Sequence, residues 1–301
     1  MPDIVIHVVA SALYAALALH FWLTRWRVPS RRWAAQPEAA ASARGGLRED
    51  LRTGLRSWER AAILAPLSLH GLLLYFILVV PDTPRFGFAF ALSATLWMVV
   101  FIYWWESFYV NLEAIQTVAL GLAAVCSLLT VWFPGLLRSA TSFEFRLHLL
   151  LSIFATGVLT VALLHALLMA VADRLLHNAR DRVGLTAGGG VLAGPLARLP
   201  PLLTLERLLF RLIEVSFALL TLTLATGLTL SETLFGRALR FNHETVFALI
   251  AWAVFAILLV GRQFYGWRGR TALRWTLAGF MLVILANIGS TFVLEVVLRR
   301  G

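Results

Sequence analysis

The chain has 301 residues, of which 60% are hydrophobic and only 14% charged, with 26 basic against 16 acidic side chains and a formal net charge of +10. That composition leaves no room for a large soluble domain, and the placement of the basic residues, all of them arginine, argues against nucleic acid as the reason for the cationic excess. The single cysteine, Cys126, excludes an internal disulfide, a CxxC redox pair and the C-x-x-C-H attachment site of a c-type cytochrome.

Eight mostly apolar stretches follow one another: Ile4 to Leu23, Ala61 to Val80, Gly87 to Trp105, Leu112 to Phe133, Leu147 to Val171, Leu208 to Leu230, Val246 to Val260 and Ala272 to Val297. At about 1.5 Å per residue these runs match about 30 Å of hydrocarbon, the shorter Val246 to Val260 core doing so with its flanking residues. The pattern predicts an all-α, polytopic integral membrane helical bundle of about eight transmembrane helices, with residues 1–301 forming a single membrane domain. Met1-Pro2-Asp3 lacks a positive n-region and the basic cluster follows the first apolar stretch, so that stretch reads as a permanent helix, not a cleaved signal.

The loop at 24–60 is rich in arginine, from Arg25 through Arg60. Within it, Leu47, Leu51 and Leu55 recur between arginines at every fourth position. This spacing reads as a basic amphipathic helix on an anionic leaflet, or as a solvated loop that only fixes topology. The second span carries His70 near its middle. A polar group there is costly and is expected to face the bundle interior with a partner, as a packed histidine or as a ligand. Trp104-Trp105-Glu106 ends the third span and reads as an interfacial aromatic belt. The fifth span opens with His148 on one face, holds His165 deeper, and leads to a loop with Arg174, His177, Arg180, Arg182 and Arg198. Thr186 to Pro195 is a turn-rich linker, stopped by Pro200-Pro201. Arg237, Arg240 and His243 precede the seventh span, and Gly266-Trp267-Arg268-Gly269-Arg270 follows it as a tight turn or a partner-docking surface.

The arginine-rich loops, after the first, fifth and seventh spans, alternate with poorer ones. By the positive-inside rule they face the cytoplasm, which puts both termini on the outer, periplasmic side of a bacterial inner membrane. No GxGxxG, P-loop, HExxH or GxSxG motif is present, so nucleotide-driven transport and ordinary hydrolysis have no support. Chemistry is then left to the few polar residues in or beside the bilayer. His148 and His243 share the outer face at helix starts, where two imidazoles could meet one flat ligand. Haem needs such ligands, an apolar slot and cations for its propionates. Phe143, Phe145, Phe241 and Phe247 with Arg146, Arg237 and Arg240 supply both. A solvated or hydrogen-bonded histidine is the competing reading for each.

Several segments carry a family likeness: Leu203 to Phe210, LLTLTLATGL ending at Leu228, FNHETVFALIAWAVFAILLVGRQFYGWRGR from Phe241 to Arg270, and LAGFMLVILANIGSTFVLE ending at Glu295. Together with Leu147-His148 and Asp173 in the fifth span, they resemble the cytochrome c assembly (CcsA-like) membrane protein family, in its YpjD/HemX-type branch. The likeness is strong over about residues 146–297 and topological before them. It implies haem handled at the outer membrane face, with His148 matching the first external haem histidine and Asn242-His243-Glu244-Thr245 at the end of the family's tryptophan-rich loop. The chain departs from the family pattern by lacking tryptophans before His243, and Val260 stands where assembly proteins place a histidine.

The expectation is therefore a functional bundle of the fifth to eighth spans that binds and delivers haem for cytochrome complex biogenesis, without catalytic turnover. His148 and His243 are the candidate iron ligands, Arg146 and Arg240 the candidate propionate partners, and His70 a further cofactor-binding candidate. The lipid bilayer and, through the resemblance, apocytochrome or other assembly proteins are the expected partners, and nucleic acid is not one. The alternatives are a haem-free regulatory or scaffolding protein of the same fold, and a small-molecule transporter with a midplane site near His70.

Overall fold

A computed structural model of the chain describes residues 2–26, 55–78, 85–110, 112–137, 142–181, 202–235, 243–289 and 292–297. The expected amphipathic segment up to Gly54, the linker from Val183 to Pro201, and Arg237, Arg240, Phe241 and Asn242 lie outside them. Eight helices are long and apolar enough to span a membrane. They are α1 (Pro2–Phe21, continued by a π-helical turn Trp22–Trp26), α2 (Ser57–Leu78), α3 (Phe88–Glu106), α4 (Glu113–Trp132), α5 (Phe143–Asp181), α6 (Leu202–Phe235), α7 (His243–Tyr265) and α8 (Gly269–Ile284). A π-helical turn, Leu285–Gly289, extends α8, and another follows at Val293–Val297.

The helices exist where the apolar runs predict them, but several ends differ. With 39 residues, α5 is about 58 Å long at 1.5 Å per residue and outruns the hydrocarbon. It continues past the basic Arg174 to Asp181, so His177, expected in a loop, lies on the helix. The reason is that Asp173 through Asp181 contains no glycine or proline to stop it. Its start is also earlier than His148, at Phe143. At the start of α2, the carboxylate of Glu59 accepts the Arg56 N–H at 2.7 Å, the reciprocal half of a capping box, which leaves Ser57–Arg60 as helix.

Helix α1 packs on α2 and α4, α3 on α4 and α5, α5 on α6 and α8, and α7 on α8 and α6. Two main cores result. Tyr14, Ile63, Val99, Tyr103, Leu120 and their neighbours fill the first, among α1–α4, joined by Val161 of α5 and Leu205 of α6. Leu159, Phe210, Ile213, Phe255, Leu258 and Val283 fill the second, among α5–α8. Polar side chains tie helices together as they do where lipid gives no hydrophobic drive between spans. The Ser11 hydroxyl donates to the Ala124 carbonyl at 2.7 Å, and Thr130 and His7 lie 3.0 Å apart across the same α1–α4 contact. Asn287, in the π turn, donates to the Thr156 hydroxyl at 3.0 Å and accepts from Ser152 at 3.3 Å, joining α8 to α5.

Two connections on one end of the bundle meet as a two-residue antiparallel bridge, β1 (Arg85–Phe86) against β2 (Leu136–Leu137). Gly135 makes that approach available: its φ is 77°, and a Cβ there would lie 2.7 Å from the Phe86 carbonyl carbon. At the other end, Gly266 and Gly269 take φ of 63° and 55°, which forms the tight turn between α7 and α8. Trp267 donates from its backbone to the Gly261 carbonyl at 3.2 Å, and its ring packs over Gly261 and stacks on Trp275.

Candidate functional site

His148 lies in the second turn of α5, half-buried, with its ring turned onto α6. Its Nδ1 is 3.1 Å from the Thr226 hydroxyl. That hydroxyl has one proton, and it is within bonding distance of two carbonyls of its own helix, Leu222 at 3.0 Å and Thr223 at 3.1 Å. With its proton on one of them, the hydroxyl accepts from the imidazole. In that tautomer Nδ1 carries the ring proton and Nε2 presents a lone pair. The Thr223 carbonyl lies beside the ring as a further acceptor. No hydrogen bond to Nε2 is present among the described residues. Gly227 makes the close approach of ring to helix possible, since a Cβ there would stand 3.1 Å from Cε1 of the imidazole. The arrangement is the one that ligating histidines use: one nitrogen fixed by an acceptor, the other bare.

Arg146, two residues earlier, is half-buried, and its buried Nε has no hydrogen-bond partner. It forms no ion pair among the described residues. Phe145 packs against the cluster of Leu74, Phe90, Leu149 and Ile153, whereas Phe143 is exposed. The first two turns of α5 thus offer a cation with no ion pair among the described residues and an imidazole beside apolar surface.

His243 is the first residue of α7 and is exposed. Helix α7 is anchored to α6 by the Trp252 indole, which donates to the Thr221 hydroxyl at 2.9 Å. Counting along the two antiparallel helices from that anchor places His243 about 6 Å farther along the bundle axis than Thr226, the seat of His148. The two histidines share one end of the bundle, on either side of α6, and do not touch. Arg240 is outside the described residues. His70 belongs elsewhere: it is fully buried, its Nε2 is 2.8 Å from the Ser93 hydroxyl, and the Tyr14 ring meets it edge-on at 5.7 Å. It is a hydrogen-bonded residue within the α1–α4 core and is not gathered with His148 or His243.

The opposite end of the bundle holds most of the described arginine pairing. Arg262 donates to Glu206 and lies 3.8 Å over the Phe210 ring; Arg268 is 3.6 Å from the same carboxylate and Arg270 is 3.9 Å from Asp173. Trp105 is exposed in the manner of a belt residue, while Trp104 donates to the Arg60 carbonyl at 3.1 Å. Sequence reasoning overlooked three things: the pairing of His148 with Thr226, the glycine under its ring, and Glu106, which turns inward toward His165. Glu106 was hidden in a run of aromatics, and its only signal was a carboxylate at a helix end otherwise lined with arginines.

The Cytochrome C assembly protein family matches residues 61–298. The inner membrane protein YpjD of Escherichia coli K12 is 33% identical over 150 residues, which is 50% of this chain and 52% of that protein. The cytochrome c biogenesis protein CcsA of Cyanophora paradoxa is 32% identical over 85 residues, 28% of this chain and 26% of its own length. CcsA of Picosynechococcus is 33% identical over 86 residues, 29% of this chain and 25% of its length. The chain thus spans about half, or less, of the length of the curated relatives it matches. No solved structure matches it. The match over 61–298, on a chain of eight membrane-spanning helices, means that the protein belongs to the cytochrome c assembly protein family.

Proposed function

We propose that this is a haem-handling protein of a bacterial inner membrane, which presents haem near the outer face for cytochrome complex biogenesis. The observation that carries the proposal is the placing of His148, whose Nδ1 meets the Thr226 hydroxyl and whose ring lies against Gly227, with no hydrogen bond to Nε2 among the described residues. Imidazole Nε2 with its Nδ1–H tied to an acceptor is a good iron ligand. The unpaired Arg146 beside it suits a propionate, because guanidinium binds carboxylate with two parallel hydrogen bonds. His148 and Arg146 therefore fit the group. His243, at the same end of the bundle, would provide a second nitrogen ligand and Arg240 a second propionate contact. Bound in this way, haem would supply an iron centre whose affinity depends on both histidines.

The orientation assigned here, with the His148 end outside, rests on the arginine-rich connections at the other end. Membership of the family and the relatives named for cytochrome c biogenesis support the haem reading. The test is the visible spectrum of the protein purified in detergent from haem-supplemented cells. A Soret band is expected in the wild type. His148→Ala and His243→Ala should each lose most of it, Arg146→Ala and Arg240→Ala part of it, and His177→Ala none. Wild-type protein without haem, or full retention in both histidine variants, would leave a haem-free scaffold of the same fold as the better reading.

A further inference from the structure

We propose that Glu106 and His165 form a buried proton-binding site, in which one proton is held between Glu106 Oε2 and His165 Nε2 at the end of the bundle opposite His148. Seventeen residues of α5 separate His165 from His148, about 26 Å along the helix. The inference does not depend on haem.

His165 is fully buried, and its Nδ1 is 2.9 Å from the carbonyl of Val161 in the preceding turn. A carbonyl only accepts, so Nδ1 carries a proton. The Tyr103 ring stacks on the imidazole with centroids 5.7 Å apart and 13° between planes, and its hydroxyl is 3.4 Å from the same nitrogen. The ring is thus held in place, and its other nitrogen is aimed at Glu106. Nε2 and Glu106 Oε2 are 3.8 Å apart, both are buried, and neither has a hydrogen-bond partner.

Without an added proton, these two atoms are acceptors facing each other with no donor between them. Burying two polar atoms unsatisfied in this way is costly. One proton satisfies both, as O–H···N, once the gap closes by about 1 Å to ordinary hydrogen-bond length. A metal ion fits less well: the site offers two protein donors, and no group of three or more His, Cys, Asp or Glu able to hold a metal exists among the described residues. No cation replaces the proton either. From α2, the Arg60 guanidinium donates to the Ser107 carbonyl at 2.9 Å and not to the carboxylate. The hydrophobic cluster that contains Tyr103 and Val161 also holds Leu112, just before α4, Ile115 of α4 and Leu205 of α6.

The site has a direction. Glu106 ends α3 just before the turn at 107–109, and its side chain keeps 14% exposure, while that of His165 behind it has none. A proton reaches the carboxylate from the aqueous edge. It can then pass from Oε2 to Nε2, converting carboxylic acid and imidazole to carboxylate and imidazolium, and return with no other bond changed. On the orientation above, this edge faces the cytoplasm. Ionisable groups at such depth in membrane proteins commonly serve as proton relays.

The test is infrared difference spectroscopy of the detergent-purified full chain in H2O and D2O at neutral pH. The wild type should show a protonated carboxylic acid carbonyl band that shifts in D2O, is lost in Glu106→Gln, and moves to higher frequency in His165→Phe, where the acceptor is gone. A wild-type minus Glu106→Gln spectrum with carboxylate bands only, together with a wild-type minus His165→Phe spectrum free of imidazolium bands, would overturn the proposal. Thermal unfolding gives an independent check on folding. The glutamine amide can donate to Nε2 as the acid does, so Glu106→Gln should keep the wild-type midpoint while Glu106→Ala lowers it. Equal destabilisation by both substitutions would also sink the shared-proton arrangement.

Discussion

Removing the acceptor that holds His148 in its tautomer should weaken haem binding without touching any residue that meets the iron. Thr226→Val keeps the side-chain shape but puts a methyl group where the hydroxyl stands 3.1 Å from Nδ1. The lost neutral hydrogen bond is worth about 0.5–1.5 kcal/mol. Freedom for the ring to rotate, or to move its proton to Nε2, adds to that, and substitutions of this kind behind ligating histidines typically cost 10–100-fold in affinity. The Thr223 carbonyl beside the ring offers a partial substitute. The expectation is therefore near the lower end, about 10-fold, equivalent to about 1.4 kcal/mol. Gly227→Ala acts on the same ring by contact: a Cβ 3.1 Å from Cε1 obliges the imidazole to retreat by a few tenths of an ångström. Haem titrations of purified protein, followed at the Soret band, measure both. Thr226→Ser should restore wild-type affinity. If Thr226→Val binds haem as tightly as the wild type while His148→Ala does not, the tautomer argument is wrong.

Other expectations concern the scaffold. Reporters fused after Arg44, Gly188 or Arg270 should be found in the cytoplasm and those after Pro84, Ser139 or Gly236 outside; a Gly188 fusion accessible from outside would reverse every assignment of faces. His70→Leu and Ser93→Ala should each lower thermal stability by about 1–3 kcal/mol, since either leaves a buried partner unpaired, whereas His177→Leu should not. Gly135→Ala should destabilise by at least about 1–2 kcal/mol from its positive φ alone, with the clash against Phe86 added, as read from the unfolding midpoint. Glu206→Ala, which strands Arg262 on the Phe210 face, should lower the same midpoint, and an unchanged value would show that the pair is idle.

The eight spans were readable because an apolar run of membrane length has few other uses. The ends were less so: α5 passes Arg174 and His177 without a break, because charge marks the membrane surface but does not stop a helix. The candidate site was half visible. His148 and Arg146 stand out as polar residues beside an apolar run, but Thr226 and Gly227 sit in LATGL, where each looks like a common small residue of a membrane helix. Their role depends on α6 lying against α5, which no local pattern states. The same is true of Glu106, whose partner is 59 positions away and whose neighbours are tryptophans.

The π turn at Leu285–Gly289 has a consequence for how the end of the chain is shared out. Val283, just before it, belongs to the core of α5–α8, while Ile288 within it packs with Phe88, Ala89 and Ala91 at the start of α3, against which Ile284 also lies. A π turn holds one residue more than an α turn, and one residue rotates everything beyond it by about 100°. That extra residue sets which side chains of the terminal segment face α3. Deleting a single position there would turn Ile288 away from Phe88, so this one contact between α3 and the end of the chain depends on chain length at this point as much as on the identity of any side chain.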